Sequence, residues 1–313
     1  MKGACLRAFA AIALPGLLTC TACAGGGSQE VLPPVVSQVR DLHAQGQKLL
    51  RNGDLEGAKS TFEDARLLAE SVDDQAGLAQ ALNDVGTVHT AEGNAEAAIV
   101  LHRQALAIAE GLNDTTLLIS CLTHLGTGLQ LAGETDEAVR IYSRALELTR
   151  QTADQRGAAV LHNNLGLIYR QSGQLGKAGV SFQSALDINR DQGDRRAQAS
   201  NQHNLGLLAE DQGNLDEAQR RFVEALALDK QVENREAIAG DLAGLARVLE
   251  KQHRTDQALG YAQRAYWSYR ALGDRTRALK ELHQVLELLR AEGRRDLIPE
   301  YEQELEGLRK RDE

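Results

Sequence analysis

Apolar residues recur at helical spacing in short blocks, and each block stops at a glycine or at an Asp or Asn. From Ala159 to Gln171 the apolar positions are Val160, Leu161, Leu165, Ile168 and Tyr169, which fall along one side of a helix. Gly173 then stands where the end of a helix needs left-handed backbone. A second apolar face follows, with Leu175, Ala178, Phe182, Ala185, Leu186 and Ile188, before Gly193-Asp194 closes it. This two-helix unit returns every 40 residues from about residue 38 onward. One column reads Gly46, Gly86, Gly126, Gly166, Gly206 and Ala246. A second reads Gly53, Gly93, Gly133, Gly173, Gly213, His253 and Gly293. Alanine columns begin at Ala58 and Ala65 and keep the same period. Gly166, Ala178 and Ala185 are expected where paired helices approach most closely. The turn column Asp74, Asp114, Asp154, Asp194, Asn234, Asp274 supplies short polar side chains suited to cap the helix that follows.

A fixed period of this length describes a unit that buries its apolar face against its own copies. The expectation is therefore an all-α solenoid of about seven antiparallel helix pairs over residues 38–295. A capping helix is expected over 296–313. In the last repeat Leu286 and Ile298 replace the small residues; in the final helix Pro299 suits a first turn, and Glu300, Glu302, Glu304, Glu306, Arg309 and Lys310 suit a solvated end.

Composition agrees with helices: only 4% of residues are aromatic and there are 4 prolines. Net charge is −9, from 35 basic and 44 acidic residues, with no basic stripe to neutralise phosphates, so nucleic acid is excluded as a partner. Cys5, Cys20 and Cys23 crowd the first 23 residues. Cys121 is alone in the repeats, so no disulfide can form there, and it reads as a small buried hydrophobe.

Residues 1–22 read as an export signal, with Lys2 and Arg7 before an apolar stretch, Ala8 to Leu18, too short to span a bilayer. Leu17-Leu18-Thr19-Cys20-Thr21-Ala22-Cys23 resembles a bacterial lipoprotein signal. That resemblance implies a lipid on Cys23, with Cys20 the alternative, and an outer-membrane anchor facing the periplasm, since Ala24 is not the retaining aspartate. Residues 23–37 then act as a tether that begins Ala24-Gly25-Gly26-Gly27-Ser28.

No catalytic constellation stands out. The sequence has no His-Glu-x-x-His, P-loop, Cys-x-x-Cys or Gly-x-Ser-x-Gly. His124 and His203 lack the short spacing of metal ligands, and carboxylates follow solvent faces and turns. No metal, no cofactor and no enzymatic activity are expected.

Leu165-Gly166-x2-Tyr169 and Ala178-x3-Phe182-x2-Ala185 carry a resemblance to the tetratricopeptide repeat family. Val85-Gly86, Leu125-Gly126 and Leu205-Gly206 repeat it, with Tyr142 and Phe222 in the aromatic column. It covers about residues 38–292. The period is longer than the family's usual one, and the consensus tryptophan and terminal proline are absent. In this the chain looks like the repeats of kinesin light chains and Pins-type adaptors. His162 stands in the tryptophan column and is expected to pack between helices. The resemblance implies a right-handed superhelix whose first helices line a concave face and contact a bound protein or extended peptide. Carried across by position, the contacting residues are Asn83, Asp84 and Thr87; Thr123, His124 and Thr127; Asn163, Asn164, Leu167 and Arg170; His203, Asn204, Leu207 and Glu210; and Arg247 and Glu250. Asn164 and Asn204 match the asparagine that bonds a peptide backbone in relatives. The function implied is a membrane-anchored interaction scaffold. The alternative is a sensor whose superhelix changes pitch when it binds a peptide or small ligand.

Overall fold

The computed structural model describes residues 34–309; the signal-like segment, Cys20, Cys23, most of the tether and Lys310 lie outside the described residues. Among them there are fourteen helices and no strand. The first eight are α1 (Pro34–Arg51), α2 (Leu55–Ser71), α3 (Gln75–Ala91), α4 (Ala95–Leu112), α5 (Thr115–Leu131), α6 (Thr135–Thr152), α7 (Gln155–Gln171) and α8 (Leu175–Asp191). The rest are α9 (Arg195–Asp211), α10 (Leu215–Gln231), α11 (Arg235–Lys251), α12 (Thr255–Leu272), α13 (Arg275–Ala291) and α14 (Ile298–Arg309). Each odd-numbered helix packs on the even-numbered helix after it, giving seven antiparallel pairs in a tetratricopeptide-like solenoid. Helix α1 starts at Pro34, inside the stretch expected to be tether, because proline's fixed φ suits a first helical position.

The first helices of successive repeats also touch one another, α1 with α3, α3 with α5, and so on to α11, whereas no such series joins the second helices. Closer approach on one side curves the stack, so the odd helices of this run form its inner face.

The glycine columns have two different causes. Gly173 has φ +73 with nothing near its missing side chain, so backbone conformation alone demands it there. Gly166 is helical, and a Cβ built on it would lie 2.5 Å from the Phe182 ring. The expected close approach of helix backbones is therefore corrected: the glycine makes room for an aromatic ring from the second helix. Gly46 meets Phe62, Gly86 meets His102 and Gly126 meets Tyr142 in the same way. In the sixth repeat the ring is gone, and Ala246 and Ala262 occupy the two positions, both fully buried.

Two further expectations change. Val160, assigned to a buried face, is 51% exposed. Asp74, Asp114, Asp154, Asp194 and Asp274 each accept a hydrogen bond from the backbone N–H three residues on, but Asn234 makes no such cap bond. Its amide donates to Asp229 Oδ1 at 3.1 Å instead, because that buried carboxylate needs a donor.

Candidate functional site

The residues expected to contact a partner lie on α3, α5, α7, α9 and α11, one helix per repeat along the inner face. Their side chains are largely bonded to one another across neighbouring repeats. Asn83 is fully buried and Asp84 nearly so, which corrects their placement on an open surface. Asn83 Oδ1 accepts from His102 Nδ1 at 2.7 Å, and its amide lies 2.8 Å from His124 Nδ1. Asp84 holds His43 of α1, a hydrogen bond that raises the His43 pKa despite burial, and it accepts from Gln47 at 2.9 Å. Burial and the adjacent His124 push His102 down to about 3, so it is neutral.

In the middle of the face, Asn163 Oδ1 accepts from Asn204 Nδ2 at 2.8 Å and from Asn201 Nδ2 at 3.1 Å. Asn164 bonds the Tyr142 hydroxyl, which also lies 3.0 Å from the Thr127 hydroxyl. The two asparagines expected to meet a peptide backbone are thus engaged within the chain. Thr87 and Thr123 donate to carbonyls of their own helices, at Asn83 and Ile119. Arg170 pairs with Asp211 at 2.5 Å. Glu210 takes Arg247 at 3.1 Å and Lys251 at 2.8 Å; burial would raise its pKa, but these bonds outweigh that and hold it below the ordinary value. Glu250 accepts from Gln284 at 2.7 Å. Leu167 and Leu207 are half-buried. His162 is half-buried as well, and burial lowers its pKa. Cys121 is buried and unpaired, its thiol pushed up to about 12 by burial.

His124 and His203 are not brought together. His203 instead donates to Asp241 Oδ1 at 2.7 Å. Among the described residues no group of three or more His, Cys, Asp or Glu side chains is placed to hold a metal ion. No described helix is long and apolar enough to cross a membrane.

Sequence reasoning missed a buried polar ladder. Position pairs twelve apart face each other between the end of one second helix and the next first helix, and all are buried. Reading along the stack they are Ala69/Ala81, Ala109/Cys121, Thr149/Leu161, Asn189/Asn201, Asp229/Asp241 and Tyr269/Glu281. Apolar pairs thus give way to polar ones, and Asn189 Nδ2 donates to Asn201 Oδ1 at 2.7 Å. Burial raises both Asp229 and Asp241; Asp241 reaches about 6 even with the His203 hydrogen bond. The signal was available in the columns, where Asn and Asp replace Ala, Cys and Leu at both members of a pair.

The tetratricopeptide repeat family profile matches residues 42–111, 118–191 and 195–266, more than half of the chain. No curated protein matches the sequence. Among solved structures, the apo form of RapI is similar with a TM-score of 0.64 and 17% identity, over 87% of this chain and 97% of that one. A Rap protein complexed with Competence and Sporulation Factor gives 0.62 and 15%, over 84% and 78%. A putative kinesin light chain with nearly identical repeats, from Podosopora anserina, gives 0.51 and 17%, over 63% and 97%. At these identities the likeness is one of fold.

Proposed function

The chain belongs to the tetratricopeptide repeat family, and we propose that it is a non-enzymatic interaction scaffold that holds an extended segment of a protein along its inner face. The observation that carries this reading is the unbroken series of first helices, α1 to α11, in mutual contact and lined by polar side chains. Such a concave surface is what solenoids generally use for binding. A solved relative of the same fold is a Rap protein in complex with Competence and Sporulation Factor, which supports the reading. Because Asn83, Asp84, Asn163, Asn164 and Asn204 are held within the chain, their role is to set the shape and register of the face. Contact falls to more exposed positions such as Val160.

The envelope assignment rests on the N-terminal pattern. Cys23 carries the lipid, with Cys20 the alternative, and the repeats face the periplasm from the outer membrane. Labelling cells with radioactive palmitate tests it: incorporation lost on Cys23→Ala supports the anchor, and no incorporation by the parent ends the proposal.

Affinity capture from detergent-solubilised bacterial envelope on the immobilised chain tests the scaffold. Val160→Lys is the comparison, since an exposed lysine at that point leaves packing intact. A partner retained by the parent and lost by the variant is the expected result. Equal retention by both would move binding off the inner face. The buried polar ladder favours a second reading, a sensor that changes pitch on binding a small ligand, and capture of nothing by either chain is the result that reading predicts.

A further inference from the structure

Two clefts open on the inner side of the stack, and they are the same cleft repeated. The first, of about 430 Å³, lies among α1, α3 and α5; the second, of about 420 Å³, lies among α9, α11 and α13. Eight of the nine residues lining the second fall 160 positions after residues lining the first, a displacement of four whole repeats. His43 and His203 are one such pair, and each imidazole is held by a buried carboxylate, Asp84 and Asp241 respectively.

The repeated cavity differs in chemistry. Val36, Ala76 and Leu117 in the first become Arg196, Glu236 and Arg277 in the second. Val39 and Ala81 add buried apolar surface to the first. In the second, Arg277 is committed to Glu236 and Asp274, whereas Arg196 is exposed and enters no ion pair among the described residues. Asp229 of the same cleft feels the Arg196 charge, which pulls its pKa down against the effect of burial, but no described carboxylate is ion-paired with that guanidinium, so an incoming one can meet it. The two clefts are joined by a column of the inner helices that runs Arg40, Gln80, Ser120, Val160, Ser200, Gly240. Val160, the member between the clefts, is exposed.

We propose that the two clefts are the two ends of one binding track, and that its occupant is an extended peptide segment anchored by an aliphatic side chain in the first cleft and an acidic side chain at Arg196 in the second. This deepens the groove reading and rests on it. With inner helices packed about 10 Å apart, four repeats span about 40 Å, or about 12 residues of extended chain between the anchors.

The test is panning a phage-displayed library of random peptides, about 16 residues long to cover that span, on the immobilised full chain. Selected peptides are expected to pair an aliphatic residue with an acidic one about a dozen positions away. Exchanging cleft chemistry uses substitutions the chain already tolerates 160 residues later or earlier: Val36→Arg/Ala76→Glu in the first cleft, and Arg196→Val in the second, where Glu236 is kept so that Arg277 stays paired. Each exchange should weaken the selected peptides about tenfold or more, the effect of losing one buried anchor. Panning on Val36→Arg/Ala76→Glu should no longer enrich the aliphatic residue. Val160→Lys should weaken them as well. Peptides weakened by Val160→Lys but indifferent to both exchanges would overturn the two-cleft track and leave the groove reading standing. Peptides indifferent to all three, or no selected peptides, would overturn both.

Discussion

The helical glycine at position 166 is one half of a pair. Gly166 exists because the Phe182 ring lies over it, and the sixth repeat carries the reciprocal solution, Ala246 with Ala262. Adding the Gly166 methyl alone forces the ring or the helix to shift, at a cost of about 1–3 kcal/mol. Removing the ring alone leaves a cavity in the core, at about 3–5 kcal/mol. The double variant Gly166→Ala/Phe182→Ala recreates the pair found in the sixth repeat, so its loss should be smaller than the sum of the two. A double-mutant cycle by urea unfolding reads that difference directly. Strict additivity would show that the ring does not dictate the glycine. The glycine column was plain in the sequence, but its cause was not, because a column of glycine looks the same whether a backbone or a ring fills the space. The covarying aromatic column, Phe62, His102, Tyr142, Phe182, Phe222, Ala262, held the answer.

At the scale of elements, the junction of α9, α10 and α11 differs from those before it. Where earlier junctions bury uncharged pairs, from Ala69/Ala81 to Asn189/Asn201, this one buries two carboxyls, Asp229 and Asp241, beside His203. The Asp241 carboxyl titrates at about 6 in the fold against an ordinary 3.8, so the folded chain binds that proton more tightly than the unfolded one does. Between those two values the folded state holds the extra proton. Stability contributed by this group is therefore fully present below the lower value, is lost as pH rises toward the upper, and stays lost above it. The size is about 3 kcal/mol. Asp241→Asn keeps an acceptor for the His203 N–H and removes the titration. The variant should be more stable than the parent at pH 8, with the gap closing as pH falls to about 4. Parallel pH curves from thermal or urea unfolding would show that the carboxylate is already compensated. Helix type and turn positions were legible in the sequence because apolar spacing and glycine report directly on local conformation. The buried ladder was legible only with two columns read together, since Asn189 and Asp229 look like any solvated helix residue until the facing Asn201 and Asp241 are known.

For the whole molecule, repetition alone specified the solenoid, because each unit buries its face only against its copies. The binding face was legible in outline only. The family columns point to the first helices, yet the asparagines there are spent on bonds within the chain, and the exposed Val160 was assigned to the core. Side-chain partners between repeats depend on register, with bonds joining residues 37 to 41 apart, and no local pattern reports them. The central claim is that partners bind along the inner face. Placing a photo-cross-linking phenylalanine analogue at Val160 on α7, and separately at Val180 on α8, tests it in living cells. Both side chains are exposed, 51% and 70%, so neither replacement disturbs packing, but only the first stands on the inner helices. The account predicts a discrete adduct with a second protein from position 160 and none from position 180. An adduct from 180 with none from 160 would contradict it.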